Sequence, residues 1–206
     1  MVKLMHLAVA GNIGVGKTYA AGVLSQAFGF EATYEDDREN PFLQDFYEDM
    51  VRWAFPMQIF LLNRRLEATL AIQRSGKPHI QDRTLYEDAE VFAPVLTEMQ
   101  ILPEREYEVY RALYEKIASL IRPPDLLIYL RASVPVLVDQ ILARGRSYEE
   151  NISLEYLRRL NTAYEAWFQR YDRGPKVAIF MDELHGREDA AGRLVDIVAR
   201  QIFSLF

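Results

Sequence analysis

The octapeptide Gly11-Asn12-Ile13-Gly14-Val15-Gly16-Lys17-Thr18 fits the pattern G-x-x-x-x-G-K-[ST] without a gap, directly behind an apolar run that begins at Leu4. Glycines let consecutive backbone N–H groups point inward at an anion, and a helix that follows adds the positive end of its dipole. The octapeptide therefore predicts a loop that binds the phosphates of a nucleotide. We expect Lys17 to reach the β- and γ-phosphates and the Thr18 hydroxyl to take one position on Mg²⁺.

Strands and helices are predicted to alternate along the chain. Apolar runs predict strands over residues 4–10, 30–34, 79–81, 125–130 and 176–181, while helical periodicity covers 19–28, 42–75, 86–100, 104–121, 153–170 and 189–206. Pro56 predicts an interruption in the longest helix, and Ser133 is expected to cap a further helix. Because no repeat or long linker divides the sequence, we expect one α/β domain over residues 1–206 with a parallel sheet.

The composition argues against several classes of protein. A net charge of −6 over 206 residues argues against nucleic-acid binding, which requires a basic face. The sequence has no cysteine, which excludes disulfides and thiolate metal sites, and no run is suited to a signal peptide or a membrane span. The three histidines lie far apart, without metal-ligand spacing. We therefore expect a cytoplasmic protein that binds neither membranes nor nucleic acid.

Carboxylates follow two of the predicted strands. Glu35 comes directly after the strand over residues 30–34, and Asp82 after the strand over residues 79–81. Because ligands bind at the carboxyl ends of parallel strands, we expect both carboxylates beside the phosphate loop, although a solvated acidic turn remains the alternative for Glu35. Asp82 is placed for a second, often water-mediated, contact to Mg²⁺, and Arg83 for stabilising the transferring phosphoryl group.

Two polar side chains lie within an apolar helix. Gln58 and Arg65 are seven residues apart, which is two helical turns, so they share one face. An amide and a guanidinium in this arrangement can read the edge of a planar base. Partly exposed residues without such a role would show the same spacing, and this alternative stays open.

Two further features lie in the second half of the chain. The segment over residues 144–152, which we call the lid segment, carries Arg144 and Arg146 and is expected to close over the phosphates. An ordinary connection between two helices is the alternative. A helical stripe predicts either core or a contact between subunits, and its members are Val109, Leu113, Ile117 and Leu120.

A phosphate loop alone does not distinguish kinases from GTPases and ATPases. The sequence contains no Asn-Lys-x-Asp, the motif with which GTPases usually recognise guanine, and this argues against a GTP switch. An acceptor that is already a monophosphate needs cations opposite the γ-phosphate, whereas a neutral nucleoside needs a base for its 5′-hydroxyl, and Glu35 fits the second need. A thymidylate-kinase-like enzyme is the nearest alternative. A regulator that senses or hydrolyses ATP without an acceptor pocket is the alternative from another class.

Taken together, the motifs resemble the deoxyribonucleoside kinase family in its short bacterial form. The resemblance implies a P-loop kinase fold with five parallel strands flanked by helices, a homodimer, and Mg²⁺-dependent transfer of phosphate from ATP to the 5′-hydroxyl of a deoxynucleoside. A purine deoxynucleoside is the expected acceptor, and deoxycytidine is also compatible. The residues that carry the resemblance are the phosphate loop, Tyr34-Glu35 with Glu39-Asn40-Pro41, Arg52-Trp53-Ala54-Phe55 with Gln58 and Arg65, Asp82-Arg83-Thr84 with Asp88, and Arg144-Gly145-Arg146 with Leu154-Glu155-Tyr156-Leu157.

The resemblance also implies roles for individual residues. Glu35 matches the general base, Arg83 the arginine that supports base and phosphoryl group, and Asp82 the acidic residue near Mg²⁺. The family's glutamate is commonly followed by Pro-Val, where this chain has Asp36-Asp37. Further matches are Gln58, Arg65 and Asp88 around the nucleobase, Tyr47 and Glu149 at the sugar 3′-hydroxyl, Arg144 and Arg146 as lid arginines, and Asp182 in the loop expected at the adenine of ATP.

Overall fold

Five parallel strands form the central sheet. The protein is described here as a computed structural model that defines residues 5–34, 40–146, 148–149 and 152–204. The strands are β1 (His6–Gly11), β2 (Glu31–Thr33), β3 (His79–Asp82), β4 (Leu126–Arg131) and β5 (Lys176–Phe180). Each pairing between neighbouring strands is parallel, and the spatial order is β2-β3-β1-β4-β5. The predicted α/β fold with a five-stranded parallel sheet is therefore confirmed.

Helices cover both faces of the sheet, because side chains of a strand alternate between its two sides. The helices are α1 (Lys17–Phe28), α2 (Leu43–Glu48), α3 (Met50–Ser75), α4 (Leu85–Glu87), α5 (Ala93–Glu98), α6 (Glu104–Leu120), α7 (Val134–Arg144), α8 (Leu154–Arg170) and α9 (Ala190–Ser204). On β1, Leu7 and Val9 pack with α1, α7 and α9, while Ala8 and Ala10 pack with α3, α6 and α8. None of the helices that the structure defines is long and apolar enough to cross a membrane.

The interruption expected near Pro56 lies at Asp49 instead, so that prediction is wrong. Asp49 leaves the helical region with φ −142° and ψ 82°, and its carboxylate accepts the N–H of Arg52, which caps α3. The helix then continues through Pro56. Proline removes a single intrahelical hydrogen bond there, and its neighbours Ala54 and Met57 hold the helix in the core.

Three of the four residues in the apolar stripe of α6 face outward. Val109, Leu113 and Leu120 are 61%, 42% and 83% exposed, whereas Ile117 is partly buried against the core and Tyr110 and Tyr114 are buried. The core interpretation is therefore wrong for the three exposed residues, and their contact with a second subunit stays a prediction. The two tyrosines, one helical turn apart, supply the buried face that the sequence pattern assigned to the aliphatic residues.

A π-helical turn over Asp88–Phe92 lies between α4 and α5, within the single helix predicted over residues 86–100. Such turns occur frequently at functional sites because they change the direction of side chains within a helix. This one begins at Asp88, a predicted base contact, close to the carboxyl end of β3.

Candidate active site

The phosphate loop connects β1 to α1 and lies at the N-terminus of that helix. Gly14 and Gly16 have φ of +82° and +91°, a region that L side chains rarely adopt. A Cβ at Gly14 would stand 2.8 Å from the carbonyl oxygen of Leu137. Lys17 Nζ donates to the carbonyl of Asn12 at 2.9 Å, within the loop. The loop can therefore present backbone N–H groups and an ammonium group to the same anion.

Two residues of the loop serve to fix it in place. The Asn12 side chain donates to the carbonyl of Leu157 on α8 at 3.1 Å, and its oxygen accepts the N–H of Ile13 at 2.8 Å. Val15 is fully buried beneath the loop. The side chains of Asn12 and Val15 are thus occupied within the protein, so that only their backbone groups are suited to meet phosphate.

Thr18 and Asp82 meet at the expected edge of the sheet. Thr18 Oγ1 donates to Asp82 Oδ2 at 2.6 Å, and Val9, two residues before the loop, pairs with Asp82 across the sheet. Asp82 Oδ1 is buried and has no hydrogen-bond partner among the described residues. A hydroxyl beside a carboxylate oxygen without a partner fits Mg²⁺, which prefers oxygen and takes its other ligands from water and phosphate. In line with such sparse ligation, the described residues contain no cluster of three or more His, Cys, Asp or Glu suited to a metal ion.

Glu87 is a central residue of the site that the sequence analysis did not identify. Its fully buried carboxylate accepts the N–H of Gly11 at 3.0 Å, the N–H of Thr84 at 3.0 Å and the hydroxyl of Tyr164 at 2.8 Å. The spacing of Thr84 and Glu87 is that of a helix-capping pair, which the sequence does show. No signal in the sequence indicates the contact with Gly11, 76 positions away.

Arg83 has an unusual backbone conformation, and its guanidinium contacts two aromatic residues. Its φ of +68° is unusual for a residue with a side chain. Arg83 Nη1 donates to the Tyr164 hydroxyl at 3.1 Å, and the guanidinium carbon lies 4.7 Å from the centroid of the Phe92 ring. The arginine is thus oriented by the same tyrosine that contacts Glu87.

A cavity of about 420 Å³ extends from the phosphate loop to Gln58 and Asp88. Gln58 is 2% exposed, and its Oε1 has no hydrogen-bond partner in the part of the chain that the structure describes. A buried amide oxygen without a partner costs free energy unless a ligand satisfies it. The lining includes Lys17, Thr18, Tyr47, Gln58, Asp82, Arg83, Asp88, Arg144, Arg146 and Glu149.

Arg65 lies behind the cavity and is absent from its lining. Its Nε contacts Asp88 Oδ2 at 3.3 Å, and both side chains are buried. An arginine in this position orients the carboxylate and stabilises its charge. Arg65 therefore contacts Asp88 and does not line the cavity, whereas Asp88 and Gln58 do.

In the described part of the lid segment, Arg144 and Arg146, which are predicted to contact phosphate, lie beside Glu149, which is predicted to contact the sugar. Arg144 contacts the Glu149 carboxylate through two nitrogens, with Nε to Oε2 at 3.0 Å and Nη2 to Oε1. Arg146 Nη1 lies 3.7 Å from Glu149 Oε1. Tyr47 lines the same cavity, and burial raises the pKa of its hydroxyl well above the ordinary value, so it remains a hydrogen-bond donor at neutral pH.

The carboxylate of Asp182, a predicted site residue, forms a hydrogen bond with the backbone. Asp182 Oδ1 accepts the N–H of Ser133 at 2.8 Å, at the start of α7. A second cavity of about 390 Å³ adjoins Gly16 and is lined by Tyr19, Gln140 and Leu184, but Asp182 is not among its lining residues. Glu35 lies outside the described residues.

The loop and the cavity together can hold phosphates at the loop and a planar group at Gln58.

Comparisons with known proteins agree with this geometry. The family model described as deoxynucleoside kinase matches residues 7–203. Among characterised proteins, a deoxyadenosine/deoxycytidine kinase of Bacillus subtilis is 32% identical over 202 residues, covering 95% of this chain and 92% of that protein. A deoxyadenosine kinase of Dictyostelium discoideum is 38% identical over 168 residues, covering 82% of this chain and 68% of that protein.

A solved structure is also similar along nearly the whole chain. A deoxyadenosine kinase from M. mycoides with bound dCTP superposes with a TM-score of 0.83 and 29% identity, covering 97% of this chain and 100% of that one. The fold is therefore that of a P-loop kinase. These similarities do not favour the thymidylate-kinase-like alternative.

Proposed function

The chain belongs to the deoxynucleoside kinase family, and from this premise we propose that it transfers the γ-phosphoryl group of ATP to the 5′-hydroxyl of a purine deoxynucleoside, with deoxycytidine as a further acceptor. The relatives in Dictyostelium discoideum and Bacillus subtilis support an amino-bearing base such as adenine, because their names include deoxyadenosine. We further propose that this activity resides in one domain over residues 1–206.

The observation that carries this proposal is the buried amide of Gln58 at the far end of the cavity from the phosphate loop. Its Oε1 has no partner in the described part of the chain, so it can accept the amino N–H of a base. Asp88, oriented by Arg65, offers a second acceptor in the same cavity. An enzyme that only senses or hydrolyses ATP has no need of this second, base-reading end. The geometry thus favours a nucleoside acceptor.

ATP is assigned to the phosphate loop. The backbone of Gly11 to Thr18 would surround its phosphates, with Lys17 supplying positive charge. The residues suited to Mg²⁺ are Thr18 and Asp82, whose oxygens lie 2.6 Å apart. When bound, Mg²⁺ neutralises charge on the β- and γ-phosphates. The cavity beside Tyr19 and Leu184 is proposed for the adenine of ATP, with Asp182 supporting the adjacent backbone.

The residues around the acceptor are proposed to position and deprotonate it. Glu35 is the proposed general base for the 5′-hydroxyl, on the strength of its position after β2. Arg83, oriented by Tyr164, is proposed to stabilise negative charge on the transferring phosphoryl group. Tyr47 and Glu149 are proposed for the sugar 3′-hydroxyl, and Arg144 and Arg146 for the phosphates.

A homodimer in the cytoplasm is also proposed. The exposed stripe of Val109, Leu113 and Leu120 on α6 supports a subunit contact, because burying such a surface against a second copy removes apolar area from water. Sedimentation of the purified protein at several concentrations tests the dimer.

Phosphorylation of a substrate panel by Mg-ATP tests the reaction. The panel holds the four natural deoxynucleosides and their monophosphates, and Lys17→Ala serves as the control for a working phosphate loop. We expect turnover of deoxyadenosine or deoxyguanosine, slower turnover of deoxycytidine, and none of the monophosphates. Activity on a monophosphate alone would contradict the proposal and remove Glu35 from its role.

A further inference from the structure

Tyr148 of the lid segment stacks on Tyr47 of α2. The two ring centroids lie 6.0 Å apart, and the ring planes are 14° from parallel. Both residues line the cavity between the phosphate loop and Gln58. The contact joins two parts of the chain separated by about half of its length, and it links them within the wall of the cavity.

The Tyr47 ring is partly buried and packs against the core. Phe46, the buried residue of the six-residue helix α2, contacts the Tyr47 ring edge-on with centroids 5.3 Å apart. The face of the Tyr47 ring is covered by Tyr148, so that this stack selects one orientation of the Tyr47 hydroxyl.

The residue after Tyr148 adds a second connection. Glu149 is buried and binds Arg144 through two nitrogens, while Arg146 lies within 3.7 Å of the same carboxylate. Consecutive residues of the lid segment therefore contact a sugar-side tyrosine and both phosphate-side arginines. A shift of this segment would move the predicted sugar contacts and the predicted phosphate contacts together.

We propose that Tyr148 is a positioning residue for the sugar: its ring stacks on Tyr47 and holds the Tyr47 hydroxyl at the 3′-hydroxyl of the acceptor. This inference rests on the proposed function of the site. It assigns to Tyr148 no contact with the reacting atoms. Because Tyr148 acts through the Tyr47 hydroxyl, its effect must disappear for an acceptor that has no 3′-hydroxyl.

The experiment compares the deoxynucleoside that the panel identifies with its 2′,3′-dideoxy form. For Tyr148→Ala we expect KM for the deoxynucleoside to rise roughly three- to tenfold, the factor that loss of one aromatic pair produces. The KM for the dideoxynucleoside and the KM for ATP should not change. Tyr148→Phe, which keeps the ring, should behave as the unmodified protein.

A double-variant cycle identifies the partner. In the Tyr47→Phe background, Tyr148→Ala should have no further effect on the deoxynucleoside, because the hydroxyl that it positions is gone. Leu154→Ala, at a half-exposed position at the start of α8, is the control for a general disturbance near the lid segment. An equal loss for both acceptors, a loss in Tyr148→Phe, or additive effects in the cycle would each overturn the proposal, as would an effect confined to ATP.

Calorimetric titration of the same variants with the two nucleosides, without ATP, makes the comparison independent of turnover. If the unmodified protein binds the deoxynucleoside but does not phosphorylate it, the proposed function fails and the binding data still test Tyr148. If the protein is active and Tyr148→Ala binds the deoxynucleoside as tightly as the unmodified protein, only the positioning role fails.

Discussion

The carboxylate of Glu87 accepts the backbone N–H of Gly11, with 3.0 Å between Gly11 N and Glu87 Oε2. The same oxygen accepts the hydroxyl of Tyr164, which in turn accepts a hydrogen bond from Arg83. One buried carboxylate therefore joins the start of the phosphate loop to the arginine proposed to support the phosphoryl group. The distance between loop and arginine depends on this group.

Replacing Glu87 by Gln should destabilise the protein. Glutamine offers one oxygen where the carboxylate accepts at both, so at least one N–H, of Gly11 or Thr84, is left without an acceptor. We expect a loss of about 1–3 kcal/mol in the free energy of unfolding and a lower kcat. Denaturant titration measures the first. The control is Glu115→Gln on α6, an exposed group paired with Arg111, which should change stability by less than about 0.5 kcal/mol. An unfolding midpoint equal in both variants would mean that the backbone hydrogen bonds accepted by Glu87 contribute nothing to stability.

Replacing Glu35 by Gln should slow phosphoryl transfer without weakening nucleoside binding. Removal of a general base costs on the order of 10²-fold or more in kcat, while an isosteric amide keeps most ground-state contacts. Steady-state kinetics and calorimetric binding of the nucleoside measure the two quantities. Glu48→Gln, at the end of α2, is the matched control. Near-normal turnover of the Glu35 variant would remove this residue from the role of base.

Replacing Gln58 by Leu should weaken acceptor binding and leave ATP binding intact. The substitution keeps the approximate volume but removes the donor and acceptor at the far end of the cavity. We expect KM for the preferred deoxynucleoside to rise roughly tenfold or more, because the base then buries unpaired polar atoms. Gln73→Leu on the same helix, whose amide donates to the carbonyl of Arg122 outside the cavity, is the control. Equal KM values for the two variants would argue against base recognition by Gln58.

His6 should make stability depend on pH. Burial lowers the pKa of His6 from 6.5 to about 4, against the opposing effects of its hydrogen bond to Gln81 and the charge of Asp125, while His79 and Arg122 lower it further. The unfolded chain therefore binds more protons than the folded protein between these values, so unfolding free energy rises with pH across this window. The contribution, up to about 3 kcal/mol, is complete above pH 6.5 and is lost as the pH falls toward 4.

The His6→Gln variant tests this linkage, because glutamine does not titrate. Unfolding free energy measured at several pH values between 4 and 7 should then vary less steeply than in the unmodified protein. The same slope in the His6 variant as in the unmodified protein would show that another group titrates in this window.

The sequence could predict that Thr18 and Asp82 lie close together, because the geometry that joins them is local. The spacing of glycines, Lys17 and Thr18 defines the loop, and strand order brings Asp82 to the same edge. The structure places Thr18 Oγ1 and Asp82 Oδ2 within hydrogen-bond distance, as that argument requires. These relationships follow from short motifs and from the rule that ligands bind at the carboxyl ends of parallel strands.

The other end of the site was less accessible to such reasoning, because contacts there depend on packing. Helical periodicity puts Gln58 and Arg65 on one face, but it does not show that Asp88 stands between Arg65 and the cavity. Similarly, the resemblance puts Asp182 in the loop expected at the adenine of ATP, but it does not show that the Asp182 carboxylate accepts the backbone N–H of Ser133. A residue's face follows from sequence, but its partner requires the tertiary structure.

The contacts of α8 restrict which of its residues can vary. Leu157 holds Asn12 through its carbonyl, and Tyr164 connects Glu87 with Arg83. On the opposite side of the helix, Arg158 and Thr162 are exposed. Over evolutionary time, the inner face should therefore change slowly even at positions that touch no ligand, while the outer face can diverge freely. Engineering of surface charge or attachment sites is best directed to that outer face.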